Sequence, residues 1–337
     1  MQKVTSLEIA ELAGVSQSTV SRALRKSPLV NRETRRRIQR IAREHNYKVD
    51  SSASSLRSQD SRTIAMLVHE ESGMDSDINP FFVSILSSIT RAAAARNYDV
   101  LLSFQQLSEN WIADYENSNK AEGIILLGYG GYTDYIRKIE LLDDAHVLTW
   151  GPVIEGQPGH FVGCDNRRGG YIATRYLLEL GHTRVAYLGD ISDDCPEFQD
   201  RYRGYRTALR QAGLREDPVL QASSLSSTHT GHLAARQLLA RGEDFSAIFC
   251  CSDLTALGAI QALRMEGLSV PGGVSVVGFD NIPSATHMSP ALTTVRQNTV
   301  KAGEVMVDTL LRLIRGDYVE SQLIQPELMV RESCGPS

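Results

Sequence analysis

Three side chains that can form specific hydrogen bonds lie close together near the start of the sequence. The stretch LAGVSQSTVSRAL, residues 12–24, presents Gln17, Ser18 and Arg22 just after a glycine-containing turn. A guanidinium donates to two acceptors at once, a carboxamide donates and accepts, and a hydroxyl does either. Guanine and adenine offer matching pairs of groups in the major groove of DNA, so these residue types suit the reading of base edges. The alternative is an ordinary solvated helix face.

Hydrophobic periodicity predicts three short helices around these residues. The first covers residues 6–13, with Ser6 as its N-cap, and the glycine that follows can adopt the left-handed conformation that ends a helix. Ser16 caps the second, and the third runs from a cap at Asn31 to about residue 45. This order of helices and turn predicts a helix-turn-helix module. The apolar residues expected to pack its first two helices are Leu7, Ile9, Ala10, Leu12, Ala13, Val20 and Leu24.

Charge is distributed unevenly along the 337 residues, which carry a formal net charge of -5. Residues 1–60 contain 12 Lys and Arg against 6 Asp and Glu, net +6, whereas the remainder contains 23 against 34, net -11. A basic segment followed by an acidic body indicates that only the first part binds a polyanion.

The sequence also indicates the cellular location of the protein. No apolar run approaches the roughly 18 residues of a membrane span, and the first ten residues do not form a secretory apolar block, so a cytoplasmic location is expected. The five cysteines show no C-x-x-C spacing, which favours reduced structural thiols.

His229 and His232 in HTGH are three residues apart but have no evident acidic or cysteine partner, so a solvated loop is expected there and no metal.

From Arg62 onward, short apolar runs alternate with helical patterns, which predicts an α/β fold with doubly wound parallel sheets. The alternation is too long for one ordinary sheet, so two sheets are expected, dividing near Phe161. The short runs TTVRQ and LMVRES then return the chain to each half in turn and create a cleft. The predicted strands begin near residues 64, 100, 123, 147, 161, 185, 247, 274, 293 and 328.

Several motifs, in order, resemble those of the LacI/GalR family of bacterial transcription regulators. The resemblance covers nearly the whole chain. Its motifs are VTSLEIAELAGVSQSTVSRAL, VNRETRRRIQRIAREHNY, NPFF, DRYRGYRTAL, FCCSDLTALGAIQAL, VPGGVSVVGFDN and PALTTVRQ.

The resemblance implies a homodimer whose two helix-turn-helix heads bind a pseudo-palindromic DNA operator. It also implies a two-lobed body similar to periplasmic sugar-binding proteins, in which a small effector, most often a sugar, changes operator affinity. The family is not enzymatic, and no cofactor is expected. The domains implied are a head at 1–49, a hinge at 50–61 and a body at 62–337, with one lobe at about 62–160 and 291–322 and the other at about 161–290 and 323–333.

The hinge, DSSASSLRSQDS, is too polar to fold alone, so it is either a linker or a segment that orders on binding, and the resemblance implies that it becomes helical on DNA. By resemblance, Leu56 wedges into the minor groove at the operator centre while paired hinge helices pack through Ala53. The family usually has Tyr-x-Pro-Asn before the hinge, but this chain has Val49 and Asp50 at the last two positions. Gln17, Ser18 and Arg22 match the base-reading positions of the family. Candidates for phosphate contacts are Thr5, Ser16, Thr19, Asn31 and Thr34.

The predicted effector site lies beyond the carboxyl ends of the parallel strands. A carboxylate there accepts hydrogen bonds from neighbouring hydroxyls, a guanidinium donates to oxygens, and an aromatic face covers the C–H side of a sugar ring. Asp253 and Asp280 could instead cap helices, and Phe82 and Trp150 could instead pack in the core. Ser252 stands where the family commonly has Asn. The candidates are Phe82, Trp150, Arg201, Asp253, Asp280 and Gln297.

Two other classes of protein compete with a DNA-binding repressor. A solute receptor that merely carries a head is disfavoured by the absence of a signal sequence. A nucleotide-dependent α/β enzyme is disfavoured because GYGGYT fails the G-x-G-x-x-G pattern and the sequence has neither a phosphate loop nor G-x-S-x-G. Within the regulator class, the effector could instead be a purine or a sugar phosphate, and it could act as an inducer or as a corepressor.

Overall fold

The computed structural model of the chain describes residues 4–24, 27, 29–45, 47, 61–68, 79–104, 115, 118–128, 131–140 and 145–337. It separates into two compact units, Met1–Ser61 and Arg62–Ser337. We refer to them as the head and the body.

Among its described residues, the head has three helices around a small apolar core. Ile9, Val20 and Ile38, one from each helix, are almost completely buried and form its centre. Gly14 ends the first helix with φ of 60°, a left-handed conformation that favours glycine, and its N–H donates to the carbonyls of Ala10 and Glu11. The helices are α1, Ser6–Ala13, α2, Gln17–Leu24, and α3, Arg32–Glu44. The helix-turn-helix prediction is therefore confirmed.

Two details of the predicted head were wrong. Thr5, not Ser6, is the N-cap of α1: its hydroxyl accepts from the N–H of Glu8, whose carboxylate accepts from the N–H of Thr5 at 2.6 Å. Leu7 and Leu12 were expected to pack the module but are 58% and 55% exposed. A helix of eight residues buries only one narrow face, and here Ile9, Ala10 and Ala13 fill that face.

The described residues of the body form two six-stranded sheets covered by helices. Its helices, among the described residues, are α4 (Pro80–Ala95), α5 (Tyr132–Glu140), α6 (Asn166–Glu179), α7 (Pro196–Gln211), α8 (Thr228–Ala240), α9 (Asp253–Met265) and α10 (Thr299–Ile314). Its strands are β1 (Thr63–Val68), β2 (Asp99–Phe104), β3 (Gly123–Leu127), β4 (Val147–Trp150), β5 (His160–Cys164), β6 (Val185–Leu188), β7 (Gln221–Ala222), β8 (Ala247–Cys250), β9 (Ser275–Asp280), β10 (Thr293–Arg296), β11 (Gln322–Ile324) and β12 (Glu327–Met329).

The strand order defines two lobes. The first lobe has the order β11-β5-β4-β3-β1-β2, and the second has the order β12-β10-β9-β8-β6-β7. All neighbouring strands are parallel except β10 and β12. The predicted α/β class with two parallel sheets is thus confirmed.

The predicted division of strands between the sheets was wrong at two points. β5 was expected to open the second half of the body, but it pairs with β4 in the first lobe, and β10 was expected to return to the first half, but it pairs with β9 in the second. The chain therefore changes lobes after β5, between β10 and α10, and between β11 and β12. The short strands β7 and β11 were not predicted, since two or three residues carry no clear alternation pattern.

Close helix packing in the second lobe depends on a glycine. A Cβ atom at Gly204 would lie 2.1 Å from the carbonyl oxygen of Arg167, so only glycine lets α7 approach α6 this closely. α6 begins with Asn166 and α7 carries Arg201, and this contact fixes the position of one relative to the other.

Candidate functional site

The head presents its polar candidates on one helix. Gln17, Ser18 and Arg22 are exposed on α2, while Val20 and Ala23 of the same helix are buried. The hydroxyl of Ser16 accepts from the N–H of Thr19 at 3.3 Å and so caps the helix start. The first turn of α2 is thus fixed to the head core with its polar face open to solvent, as a recognition helix requires.

The five phosphate candidates lie at the starts of the three helices. Thr5 and Ser16 cap α1 and α2, and Asn31 caps α3 by accepting from the N–H of Thr34 at 2.8 Å. Helix N-termini favour anions because their free N–H groups and the helix dipole both point at the ligand. Ala53 and Leu56, the hinge candidates, lie outside the described residues.

In the body, Asp280 occupies a strained position at the end of β9. Its φ of 113° lies in the region that favours glycine, and the next residue, Asn281, has φ of 57°. Asp280 is 6% exposed, and its Oδ1 accepts from Nε2 of Gln297 at 2.6 Å. Burial raises the pKa of the Asp280 carboxyl to about 6, against the opposing effects of Arg201 and Gln297. Non-glycine residues held in such conformations cluster at binding sites.

Arg201 is buried next to this carboxylate. Its Nη1 lies 3.8 Å from Oδ1 of Asp280 and also donates to the carbonyl of Cys251. Its Nε donates to Oδ1 of Asn166 at 2.9 Å, and its guanidinium lies 3.7 Å from the ring centroid of Phe279. A planar cation on an aromatic face with several hydrogen bonds has little freedom to move. Sequence reasoning missed Asn166, which lies two residues beyond β5, and Phe279, which directly precedes Asp280 in β9.

A cavity of about 300 Å³ lies between the two lobes beside Asp280 and Gln297. Phe81 and Ser84 of α4 line it from the first lobe, and Thr299 lines it from the start of α10. We call it the crossover cavity, because the chain passes from the second lobe to the first along its wall. Phe81 rather than the predicted Phe82 lines it.

Asp253 has a different position from the other candidates. It is 0% exposed, its Oδ2 accepts from the N–H of Ile282 at 2.8 Å, and its Oδ1 accepts from the hydroxyl of Thr294. Burial and the neighbouring Asp280 raise the pKa of its carboxyl well above the usual range. Because both oxygens are bonded within the lobe, Asp253 joins β10 to the turn after β9. Ser252 caps α9 and is also fully buried.

The two predicted aromatic residues pack with the core. Trp150 is 7% exposed and its ring lies 5.9 Å from that of Phe81, at 48°. Phe82 is half-buried, 5.5 Å from Phe81. Neither ring lines the crossover cavity. Of the six predicted residues, Asp280 and Gln297 line it. Arg201 contacts Asp280 but does not line the cavity, and neither do Phe82, Trp150 and Asp253.

Side-chain hydrogen bonds among the described residues join the lobes directly. Asn79, the N-cap of α4, donates from Nδ2 to Oγ of Ser226 at 3.2 Å. Thr133 of α5 donates to Oδ1 of Asp194 at 3.4 Å. The lobes therefore contact each other through side chains as well as through the crossovers.

Metal and membrane features are absent from the part of the chain that the structure describes. There, no group of three or more His, Cys, Asp or Glu could hold a metal ion. None of the helices described is long and apolar enough to cross a membrane. His229 and His232 lie in the first turns of α8, not in a loop as predicted, because Ser227 caps a helix there by accepting from the N–H of Thr230.

Comparison with known families gives two matches along the chain. Residues 6–50 match "Bacterial regulatory proteins, lacI family", and residues 174–334 match "Periplasmic binding protein-like domain". The first match covers the head helices, and the second covers most of the second lobe and the final crossovers.

Curated relatives match over almost their full length. The "HTH-type transcriptional repressor PurR" of Vibrio campbellii is 31% identical over 342 residues, covering 98% of each chain. The "Ribose operon repressor" of Haemophilus influenzae is 28% identical over 337 residues, again covering 98% of each.

Solved structures give the same result. A complex of the transcriptional regulator CelR with cellobiose is 30% identical, with a TM-score of 0.72 over 98% of this chain and 99% of that one. The lac repressor dimer bound to operator and the anti-inducer ONPF is 25% identical, with a TM-score of 0.85 and the same coverage.

Proposed function

Because the chain belongs to the lacI family of bacterial regulatory proteins and is a DNA-binding transcriptional regulator, not an enzyme, we propose that it is a sugar-responsive repressor. Its head reads an operator, and a saccharide held between the lobes of its body changes its affinity for that operator. The observation that carries the effector part is the buried Asp280 at the crossover cavity, held by Gln297 and facing Arg201.

The head supplies both kinds of DNA contact. Arg22 donates bidentately to guanine O6 and N7, Gln17 pairs with adenine, and Ser18 adapts to either partner. The caps of the three helices, together with Thr19 and Thr34, contact phosphates and fix the register. The net charge of +6 over residues 1–60 supports this role, since phosphate contacts supply most of the affinity that does not depend on sequence.

The hinge completes the interface with DNA. We assign residues 1–49 to the DNA-binding head, 50–61 to the hinge and 62–337 to the effector-binding body. In this assignment Leu56 enters the minor groove and Ala53 lies where two hinge helices meet. An apolar wedge bends the duplex at a cost of a few kcal/mol, offset by the additional contacts that the bend permits.

A saccharide suits the chemistry around the crossover cavity. The carboxylate of Asp280 accepts from sugar hydroxyls, and Gln297 donates to sugar oxygens. Arg201, which does not line the cavity, holds the Asp280 carboxylate in place. Phe81 offers an apolar surface to the C–H side of a sugar ring. Trp150 and Phe82 pack against Phe81, and Asp253 holds the turn after β9. The cellobiose complex of a relative that is 30% identical favours the same ligand class.

Effector binding is linked to DNA binding through the two lobes. A ligand that contacts residues on both lobes favours one relative placement of them, and that placement holds the hinges of a homodimer together or apart. The solved lac repressor relative is a dimer on its operator, which supports this assembly. If the sugar favours the arrangement with separated hinges, repression is relieved. A cytoplasmic location follows from this role on DNA.

A purine corepressor is the second candidate effector. The name of the curated relative at 31% identity, a PurR repressor, favours it. The test is a thermal-shift panel of monosaccharides, disaccharides, sugar phosphates and purines on the full chain, because a ligand that binds only the folded state raises the unfolding midpoint. Fluorescence anisotropy on a selected operator then shows whether the active compound releases or tightens the complex. A shift with purines alone would overturn the saccharide assignment and keep the repressor.

A further inference from the structure

The first residues of α1 and α2 are joined by a side-chain hydrogen bond. Nε2 of Gln17 donates to Oγ of Ser6 at 2.7 Å, across 11 residues of sequence. Gln17 is exposed and Ser6 is half-buried, and each directly follows the residue that caps its helix. This bond fixes the direction of a side chain that otherwise has three rotatable bonds in solvent.

The carboxamide of Gln17 keeps the groups needed to pair with a base. An amide has two N–H donors and one oxygen with two lone pairs. Pairing with adenine uses one N–H, to N7, and the oxygen, from the N6 amino group. The second N–H of the same nitrogen points away from the amide oxygen and is available to Ser6. Ser6 and adenine can therefore bind Gln17 at the same time.

We propose that Ser6 is a positioning residue that holds Gln17 in the conformer that reads adenine, so that Ser6 sets the base preference at the position that Gln17 contacts. The proposal rests on the DNA-reading function of the head. Ordering a free glutamine on binding costs side-chain entropy. A side chain already held in its bound conformer avoids part of that cost and rejects bases that require another conformer.

The neighbouring base-reading residue is held differently. The hydroxyl of Ser18 lies 2.9 Å from that of Ser16, two residues earlier, and Ser16 also contacts the hydroxyl of Thr19 at 2.8 Å. None of these contacts involves Ser6. The effect of Ser6 is therefore expected at one base position in each half-site and not across the whole operator.

The test is in vitro selection of duplexes from a random library by the full chain, followed by affinity measurements on single-base variants of the selected site. Gln17→Ala identifies the position that Gln17 reads, because the preference for adenine is lost there. Ser6→Ala should lower that preference by about three- to tenfold, the effect of one hydrogen bond, and leave preferences elsewhere unchanged. Ser6→Thr, which keeps the hydroxyl, should retain the wild-type profile.

The double variant separates positioning from a structural role. If Ser6 acts through Gln17, Ser6→Ala adds nothing to the profile of Gln17→Ala. An unchanged adenine preference in Ser6→Ala, or an equal loss of affinity for every duplex, would overturn the proposal. A wild-type chain that enriches no sequence at all would overturn the proposed function itself, which is a separate and recognisable result.

Discussion

Asn79 and Ser226 form a 3.2 Å hydrogen bond that connects the two lobes of the body, although 147 residues separate them in the chain. Asn79 also caps α4, because its Oδ1 accepts from the N–H of Phe81 at 3.0 Å. The same side chain thus starts the helix that lines the crossover cavity and reaches the opposite lobe. A ligand that binds between the lobes would therefore bind the relative placement of the lobes that this hydrogen bond already stabilises.

Removing the contact should weaken effector binding. Ser226→Ala deletes the acceptor and leaves the α4 cap intact, so the effector affinity measured by isothermal titration calorimetry should fall by about two- to tenfold, the range for one neutral hydrogen bond. Ser87→Ala changes an exposed serine on α4 and serves as the control. An affinity equal to that of the control would mean that the contact does not favour the binding state.

Arg22→Ala should abolish much of the operator selectivity. Loss of a bidentate guanine contact costs about 1–3 kcal/mol, so the affinity ratio between the selected operator and a scrambled duplex should fall by roughly 5- to 150-fold in anisotropy titrations. The thermal shift with effector should not change. Arg40→Ala removes a 68% exposed arginine that pairs with Glu44 and should affect both duplexes equally. Loss of effector binding in Arg22→Ala would contradict the separation of the two sites.

Asp280→Asn should weaken the effector response without changing operator binding in the absence of effector. The substitution keeps the shape but removes the charge that accepts ligand hydroxyls, and charge-assisted hydrogen bonds are worth about 1.5–3 kcal/mol. Effector concentrations for half-maximal response should therefore rise by at least about tenfold. Asp308→Asn, on the exposed partner of Arg96, makes the same change away from the cavity. A response equal to that of the control would remove Asp280 from the site.

Asp253 should affect stability more than ligand binding. Asp253→Ala leaves the N–H of Ile282 and the hydroxyl of Thr294 unpaired in the interior, which should lower the free energy of unfolding by about 2–4 kcal/mol in urea titrations. Asp253→Asn keeps an acceptor and a donor there and should be milder. If Asp253→Asn instead has normal stability but no effector binding, Asp253 contacts the ligand directly.

The stability of the body should fall in mild acid through His182. This residue is 3% exposed, and its ring nitrogens contact the hydroxyls of Ser246 and Ser275 and the carbonyl of Gly335. Burial lowers the pKa of His182 below its usual 6.5, against the effect of Gly335. The unfolded chain therefore takes up the proton more readily, and stability present above pH 6.5 is lost as the pH falls through the lowered value.

The measurement compares His182→Gln with the wild type by urea unfolding between about pH 5 and pH 8, around the ordinary histidine pKa. The raised pKa of Asp280, about 6, has the opposite effect, because that carboxyl contributes stability at low pH that is lost as the pH rises through 6. Asp280 is present in both proteins, so the difference between them isolates His182. The wild type should lose more stability in acid than the variant, and equal slopes would contradict the assignment.

Local patterns were sufficient to predict the head and most of the body strands. The third head helix begins after Asn31 as predicted, and β4 begins at residue 147 as predicted. Helix capping, glycine stops and apolar runs involve residues within a few positions of each other, so the sequence contains the whole signal. The same holds for exposure of Gln17, Ser18 and Arg22 on one face of a short helix.

The sheet to which each strand belongs, and the environment of each site residue, were decided by tertiary structure. Nothing in FVGC or TTVRQ specifies a pairing partner, because buried parallel strands share the same apolar composition. Asp253 and Asp280 both follow predicted strands, yet one is bonded on both oxygens inside a lobe and the other lines a cavity. Ile282 and Thr294 bind the carboxylate of Asp253, and Gln297 binds that of Asp280. Each of these partners is distant in sequence from the carboxylate that it binds. Sequence determines which groups are available, and the folding of distant segments against them determines which remain open to a ligand.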